Sequence, residues 1–105
     1  MAAKQIPSER EFQLLTLTFR ERSGREVARL YEQGVGSSIS YGTLYSTFKR
    51  LKEQGWVSVR NATDEDGRVR FFRITGKGQK AWAAARDRYA ALLSFGKLFG
   101  AGAAG

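Results

Sequence analysis

The chain has 105 residues, the size of one small domain, and contains neither cysteine nor histidine. That composition excludes disulfides, thiolate metal sites and a cysteine nucleophile, and removes the commonest general base and zinc ligand. Eighteen Lys and Arg against ten Asp and Glu leave a net charge of +8, which suits a polyanionic partner such as nucleic acid, a membrane surface or an acidic protein, as well as simple solubility.

The basic excess lies from residue 40 onward, with seven basic against four acidic groups over 40–73 and five against one over 74–105. No apolar run approaches the length of a membrane span. The opening "MAAKQIPSEREF" has no hydrophobic segment of the signal-peptide kind. The expectation is a soluble, cytoplasmic protein with no membrane and no metal partner.

Ser8-x-x-Glu11 fits a capping box, and Phe12, Leu15 and Phe19 follow at helical spacing, widened by Leu14 and Leu17. The first helix is expected to run to about Arg22. Ser23-x-x-Glu26 repeats the capping box ahead of a short second helix with Val27, Leu30 and Tyr31 on one face and Gly34 as a left-handed C-cap. After the connector "GVGSSIS", Ser40 is the expected N-cap of a third helix. Tyr41, Leu44, Tyr45, Phe48 and Leu51 mark its apolar side, Thr43, Ser46, Thr47, Lys49, Arg50 and Lys52 its polar side, and Gly55 its end.

Over "WVSVRNATDEDGRVRFFRIT" the period changes. β-branched and aromatic residues on both sides of Asp66-Gly67 predict a hairpin with a tip longer than a tight turn. Thr75 then caps a last helix from about Gly76 to Phe99, whose Trp82, Ala85, Tyr89, Leu92, Gly96 and Phe99 step alternately by three and four. Phe95 adds to the aromatic content of this seam. "GAGAAG" is a small-residue tail expected to fray.

Helix–helix–helix–hairpin–helix is the order of a winged helix–turn–helix, a mainly α member of the α+β class. The domain reading is a winged-helix unit over 1–75, a dimerisation helix over 76–100 and a tail over 101–105. In such a fold the third helix enters a DNA major groove front end first, and small residues there permit close approach. Ser40, Tyr41, Gly42, Thr43 and Ser46 are suited to phosphates or base edges, and Lys49 and Arg50 to the flanking backbone. Tyr45 belongs with the core stripe. On the hairpin, Arg60, Arg68, Arg70 and Arg73 flank the acidic "DEDG", which places the expected contacts at Arg68 and Arg70, behind the tip. The competing description of each arginine is a cross-strand ion pair on a solvated hairpin.

"SYGTLYSTFKRLKEQGWV" followed by "DGRVRFFRITGKGQKAW" resembles the PadR-like family of bacterial transcription regulators. The matching positions are Gly42, Thr43, Leu44, Tyr45, Arg50, Leu51, Gly55, Gly67, Arg68, Arg70, Phe71, Phe72, Thr75 and Gly78. "EFQLLTLTFRERSGREVARL" fits the family more loosely. Two departures stand out. Ser46 replaces a proline that usually follows the tyrosine, and Ser23-Gly24-Arg25 replaces a frequent His-Gly-Tyr.

The resemblance implies a short-form homodimer joined through its last helix, repressing transcription from near-palindromic double-stranded DNA operators. Trp82, Ala85, Tyr89, Leu92, Phe95 and Phe99 are the expected dimer-interface residues. Some relatives bind flat aromatic effectors between subunits, so a small aromatic effector is a further expectation, although packing is the leading role for each aromatic. No cofactor is implied. An enzyme reading rests on Tyr45-x-x-x-Lys49, the spacing of a dehydrogenase acid–base pair. The chain lacks the length, the βαβ repeat and the glycine turn which that chemistry needs. A winged helix that binds only protein is the remaining alternative.

Overall fold

The computed structural model describes residues 6–100. The elements, in chain order, are α1 (Glu9–Thr16), β1 (Arg22–Ser23), α2 (Gly24–Val35), α3 (Tyr41–Glu53), β2 (Val57–Asp64), β3 (Gly67–Ile74) and α4 (Gly76–Leu98). The helices surround a three-stranded antiparallel sheet of order β1-β3-β2. This is the expected mainly helical winged-helix arrangement with a long C-terminal helix.

The first capping box forms in both directions. Ser8 N–H donates to Glu11 Oε1 at 2.8 Å, and Glu11 N–H donates to Ser8 Oγ at 3.2 Å. α1 is nevertheless much shorter than the periodicity predicts, ending at Thr16 rather than near Arg22. Thr18 accounts for the difference. It is fully buried, its hydroxyl donates back to the carbonyls of Leu14 (3.1 Å) and Leu15 (3.0 Å), and its own carbonyl accepts Ile74 N–H at 2.7 Å. A hydroxyl satisfying the last helical carbonyls lets the chain leave the helix. The chain then runs beside β3 and pairs with it as β1, Arg22 opposite Phe72 and Ser23 opposite Phe71.

The second capping box is only half made. Ser23 Oγ accepts Glu26 N–H at 3.1 Å, whereas the Glu26 carboxylate pairs with Arg22 at 3.2 Å. The left-handed cap of α2 is Gly36, at φ +87°, and Gly34 stays within the helix. The α-helical hydrogen bonding continues to Gly36 N–H, which donates to Glu32 O at 2.8 Å. α3 starts at the expected cap, Ser40, whose Oγ accepts Thr43 N–H at 3.1 Å. It ends in a Schellman motif: Trp56 N–H reaches Leu51 O and Gly55 N–H reaches Lys52 O, both at 2.9 Å, with Gly55 at φ +77°.

The hairpin is tighter than its sequence suggests. Asp64 pairs with Gly67, leaving a two-residue tip of Glu65 and Asp66. Asp64 Oδ1 accepts Asp66 N–H at 2.8 Å, and Gly67 adopts φ +112°. The short side-chain loop and the glycine together turn the chain in less length than an open loop needs.

The core gathers Leu14, Leu15, Val27, Tyr31, Leu44, Phe48, Leu51, Trp56, Val57, Phe72, Ile74 and Ala81. Phe48 of α3 stacks on Phe72 of β3, with centroids 4.0 Å apart. Thr47, expected on the polar side of α3, is also buried. It lies three residues after Leu44 and four before Leu51, on the stripe itself, and its hydroxyl is satisfied by Thr43 O at 2.7 Å.

Thr75 ties the domain to α4. Its hydroxyl donates to Gly55 O at 2.6 Å and accepts Gly78 N–H at 3.0 Å, and its N–H donates to Trp56 O at 2.9 Å. The first half of α4 packs on α1. The tail over 101–105 lies outside the described residues.

Candidate nucleic-acid interface

The front of α3 is built from residues that suit an end rather than a middle. Ser40 caps the helix, and its hydroxyl lies 3.0 Å from that of Thr43. The Ser46 hydroxyl donates to Thr43 O at 3.1 Å. Ser40, Gly42 and Ser46 are exposed, and Thr43 is half-buried. A Cβ on Gly42 would meet nothing nearer than Ser40 Oγ, 4.0 Å away. The fold therefore has room for a side chain at this position, and the glycine leaves the tip of α3 slim.

Tyr41 and Tyr45 divide the roles that the sequence left between them. Tyr41 is 52% exposed. Tyr45 is half-buried against the core, stacked on Tyr41 at 6.1 Å between centroids, with the Arg70 guanidinium 5.5 Å over its ring. The Tyr45 hydroxyl also sits against Gly24, where a Cβ would lie 2.6 Å from the oxygen. The start of α2 thus approaches α3 as closely as glycine permits.

Strand alternation sorts the hairpin arginines. The side chains of β2 and β3 that share a face with the buried Val57, Phe72 and Ile74 continue outward as the pairs Asn61–Arg70 and Thr63–Arg68. Arg68 and Arg70 therefore lie on the side of the hairpin that faces α3. Arg60 and Arg73 occupy the other side. Arg60 forms a bidentate pair with Glu21, 3.1 Å from Nε and 2.7 Å from Nη2, and lies 4.5 Å over the Phe71 ring. This hydrogen bond holds the Glu21 carboxyl below its ordinary range and raises the Arg60 guanidinium. Of the two descriptions open for the hairpin arginines, Arg60 follows the ion-pair one. No ion pair among the described residues engages Arg68 or Arg70.

Between α3 and the hairpin lie two adjoining hollows that form a groove along the helix. Lys49, Lys52, Ser46 and Arg70 line one part of it over a floor of Phe48, Val59 and Phe72. Tyr41, Arg68, Thr63 and the start of α2 line the next, with Asp64 and Asp66 also on its wall. Tyr45, Asn61 and Arg70 belong to both parts. The structure thus sets Tyr41, Arg68 and Arg70 around one hollow and Ser46, Lys49 and Arg70 around an adjoining one, with Ser40, Gly42 and Thr43 at the helix tip. Arg50 is exposed near the C-terminal end of α3 and, among the described residues, reaches only Thr47 Oγ1, at 3.5 Å. Lys52 was placed on the polar side of α3 from sequence, whereas Asn61 and Thr63 were not singled out. The alternation of β2 against Arg68 and Arg70 would have found both.

The seam of α4 is split. Trp82 stacks on Phe12 at 5.4 Å, meets Phe19 edge-on at 5.1 Å and donates its indole N–H to Thr16 Oγ1 at 2.8 Å. Ala85 is fully buried, and Tyr89 meets Phe12 edge-on at 5.3 Å. Leu92, Phe95 and Phe99, further along, are 61%, 65% and 71% exposed. Among the described residues, no cluster of three or more His, Cys, Asp or Glu is placed to hold a metal ion, and no helix is long and apolar enough to cross a membrane.

The profile of the transcriptional regulator PadR-like family matches residues 14–84, from the core of α1 into α4. The chain belongs to the PadR-like family. Members of this family are transcription regulators, not enzymes, and the Tyr45–Lys49 spacing has no catalytic meaning here.

Solved structures of PadR-like regulators share the fold. A PadR-family regulator from Eggerthella lenta DSM 2243 superposes with a TM-score of 0.75 at 20% identity, covering 85% of this chain and 80% of its own. A putative transcriptional regulator from Thermoplasma acidophilum gives 0.69 at 24% identity, covering 85% and 84%. Bacillus subtilis PadR, solved in complex with operator DNA, gives 0.66 at 17% identity, and the match covers 73% of this chain and 47% of that one. No curated protein sequence matches the chain.

Proposed function

We propose that this PadR-like regulator is a cytoplasmic repressor that binds a near-palindromic operator as a homodimer. The observation that carries the DNA-binding reading is the groove between α3 and the hairpin. Lys49, Lys52, Arg68 and Arg70 are gathered there without an ion-pair partner among the described residues, while Arg60 is tied to Glu21 on the opposite side. An unpaired cationic groove beside a slim helix tip suits a phosphate backbone flanking a major groove. The Bacillus subtilis PadR complex with operator DNA supports the same use of this fold.

The exposed end of α4 supports the dimer. Leu92, Phe95 and Phe99 continue the side of α4 that is buried on α1 nearer its start. Each contributes about 1.5–3 kcal/mol if a second copy covers it. Two recognition helices then occupy major grooves about 34–36 Å apart. A small aromatic effector suits the cluster of Phe12, Trp82 and Tyr89, where Arg86 lies 5.4 Å over the indole. Binding there would act on the helix that joins the subunits.

The test is selection of duplexes from random sequence by the purified protein, followed by titration at several salt concentrations. Six to ten phosphate contacts predict a loss of roughly 10³–10⁵ in affinity between 50 and 200 mM salt. Enrichment of no sequence together with salt-independent binding would refute the reading and favour a protein-only partner. Lys49→Ala combined with Arg68→Ala tests the surface itself, since unchanged affinity in a folded protein would remove it from the interface.

A further inference from the structure

We infer that Arg25, in the first turn of α2, is an additional phosphate-binding residue of this interface; the inference rests on the DNA-binding reading above. Three observations carry it.

The first is position. Ser23, Gly24 and Arg25 line the same groove as Tyr41, Arg68 and Arg70. This wall is made by α2, an element that holds none of the contacts expected from α3 or the hairpin. The second is the close approach at Gly24. A Cβ there would lie 2.6 Å from the Tyr45 hydroxyl and 3.1 Å from its ring carbons. The first turn of α2 is therefore packed against the Tyr45 side chain of α3, and Arg25, the next residue, is carried into the lining of the groove.

The third is charge. Arg25 is exposed and has no acidic partner among the described residues. The acid beside it, Glu26, is held by Arg22 at 3.2 Å. Asp64 and Asp66 share the groove from the hairpin, but neither pairs with Arg25, and Asp64 Oδ1 is occupied by Asp66 N–H. Arg25, Arg68 and Arg70 thus put three cations on the lining of one groove, and a polyanion laid along it neutralises them.

The target is a phosphate rather than a base edge. In a helix–turn–helix the helix before the recognition helix crosses the DNA backbone and does not enter the groove. The planar fork of arginine suits two phosphate oxygens at once. Contact with phosphate positions the protein without reading sequence.

The experiment is a fluorescence-anisotropy titration of wild type, Arg25→Gln and Arg25→Lys over a salt series. The probes are a labelled duplex recovered by the selection and a scrambled duplex of equal length. For Arg25→Gln the slope of log affinity against log salt is expected to become shallower by about 0.9 per chain. Affinity should fall by the same factor on both duplexes, and Arg25→Lys should recover most of the slope. The slope is a property of the bound complex, so a variant with a smaller folded fraction does not mimic this result.

An unchanged slope for Arg25→Gln, with a shallower one for Lys49→Ala, overturns the inference and leaves the DNA-binding reading intact. A loss confined to the selected duplex also overturns it, because that is base readout. Salt-independent binding by wild type overturns both.

Discussion

Alanine at Gly78 tests the junction that joins the DNA-binding unit to α4. Gly78 is the third residue of that helix and is buried. A Cβ on it would fall inside the van der Waals envelope of the Trp56 carbonyl oxygen and 2.8 Å from Ile74 Cγ1. The carbonyl cannot give way freely, because it accepts Thr75 N–H at 2.9 Å. Relief requires the first turn of α4 to move. That puts at risk this bond and the 2.6 Å bond from Thr75 Oγ1 to Gly55 O. Two such bonds are worth about 0.5–1.5 kcal/mol each, and overpacking that is not relieved costs about 1–3 kcal/mol instead. Alanine recovers up to about 1 kcal/mol of helix propensity. The net loss is about 1–2 kcal/mol.

At about 4–8 °C per kcal/mol for a domain of this size, the melting temperature should fall by roughly 4–16 °C. Circular dichroism melts at one fixed protein concentration measure this, with Gly76→Ala as the reference. Gly76 has nothing within 4 Å of its added Cβ and should stay within about 0.5 kcal/mol of wild type. If Gly78→Ala melts at or above Gly76→Ala, the packing explanation for this glycine is wrong.

Gly42→Ala is expected to separate stability from binding. It should leave the fold unchanged or more stable by up to about 1 kcal/mol, yet weaken DNA binding in the same titration; undiminished affinity would show that no partner approaches the α3 tip closely. Glu21→Gln should flatten the acid limb of stability measured by urea midpoints. The Arg60 hydrogen bond lowers the folded-state Glu21 pKa from its ordinary 4.5. Below 4.5 the unfolded chain therefore takes up a proton before the folded one, so wild-type stability from this pair is complete above that value and is lost as pH falls through the lowered pKa. An acid limb identical in the variant would refute the assignment. Leu92→Ser with Phe95→Ser should convert a dimer to monomers in sedimentation experiments, since about 3–6 kcal/mol of burial is removed per chain. A dimer of unchanged affinity would move the interface elsewhere.

Local signals in the chain determined where most elements begin and how α3 ends. Ser8 with Glu11, Ser23, Ser40 and Thr75 each accept a backbone N–H within three residues, and Gly55 closes its helix with bonds spanning six residues. Such interactions need no distant partner, so sequence spacing suffices to place them. The stripe of Leu44, Phe48 and Leu51 was legible for the same reason, because a helical period fixes which residues share a face.

What the spacing missed depends on partners far away in the chain. α1 stops early because Thr18 O meets Ile74 N–H, and β1 exists only because β3 offers Arg22 and Ser23 an open edge at Phe72 and Phe71. The sorting of the hairpin arginines needed the register of β2 on β3 and the reach of Glu21 across 39 residues to Arg60. Trp82 and Leu92 look alike as positions of one seam, but only the packing of α1 half-buries the first and leaves the second exposed. Short-range hydrogen bonding is written in neighbouring residues. Which cation stays unpaired, and which apolar face stays uncovered, is decided by everything the folded chain brings against it.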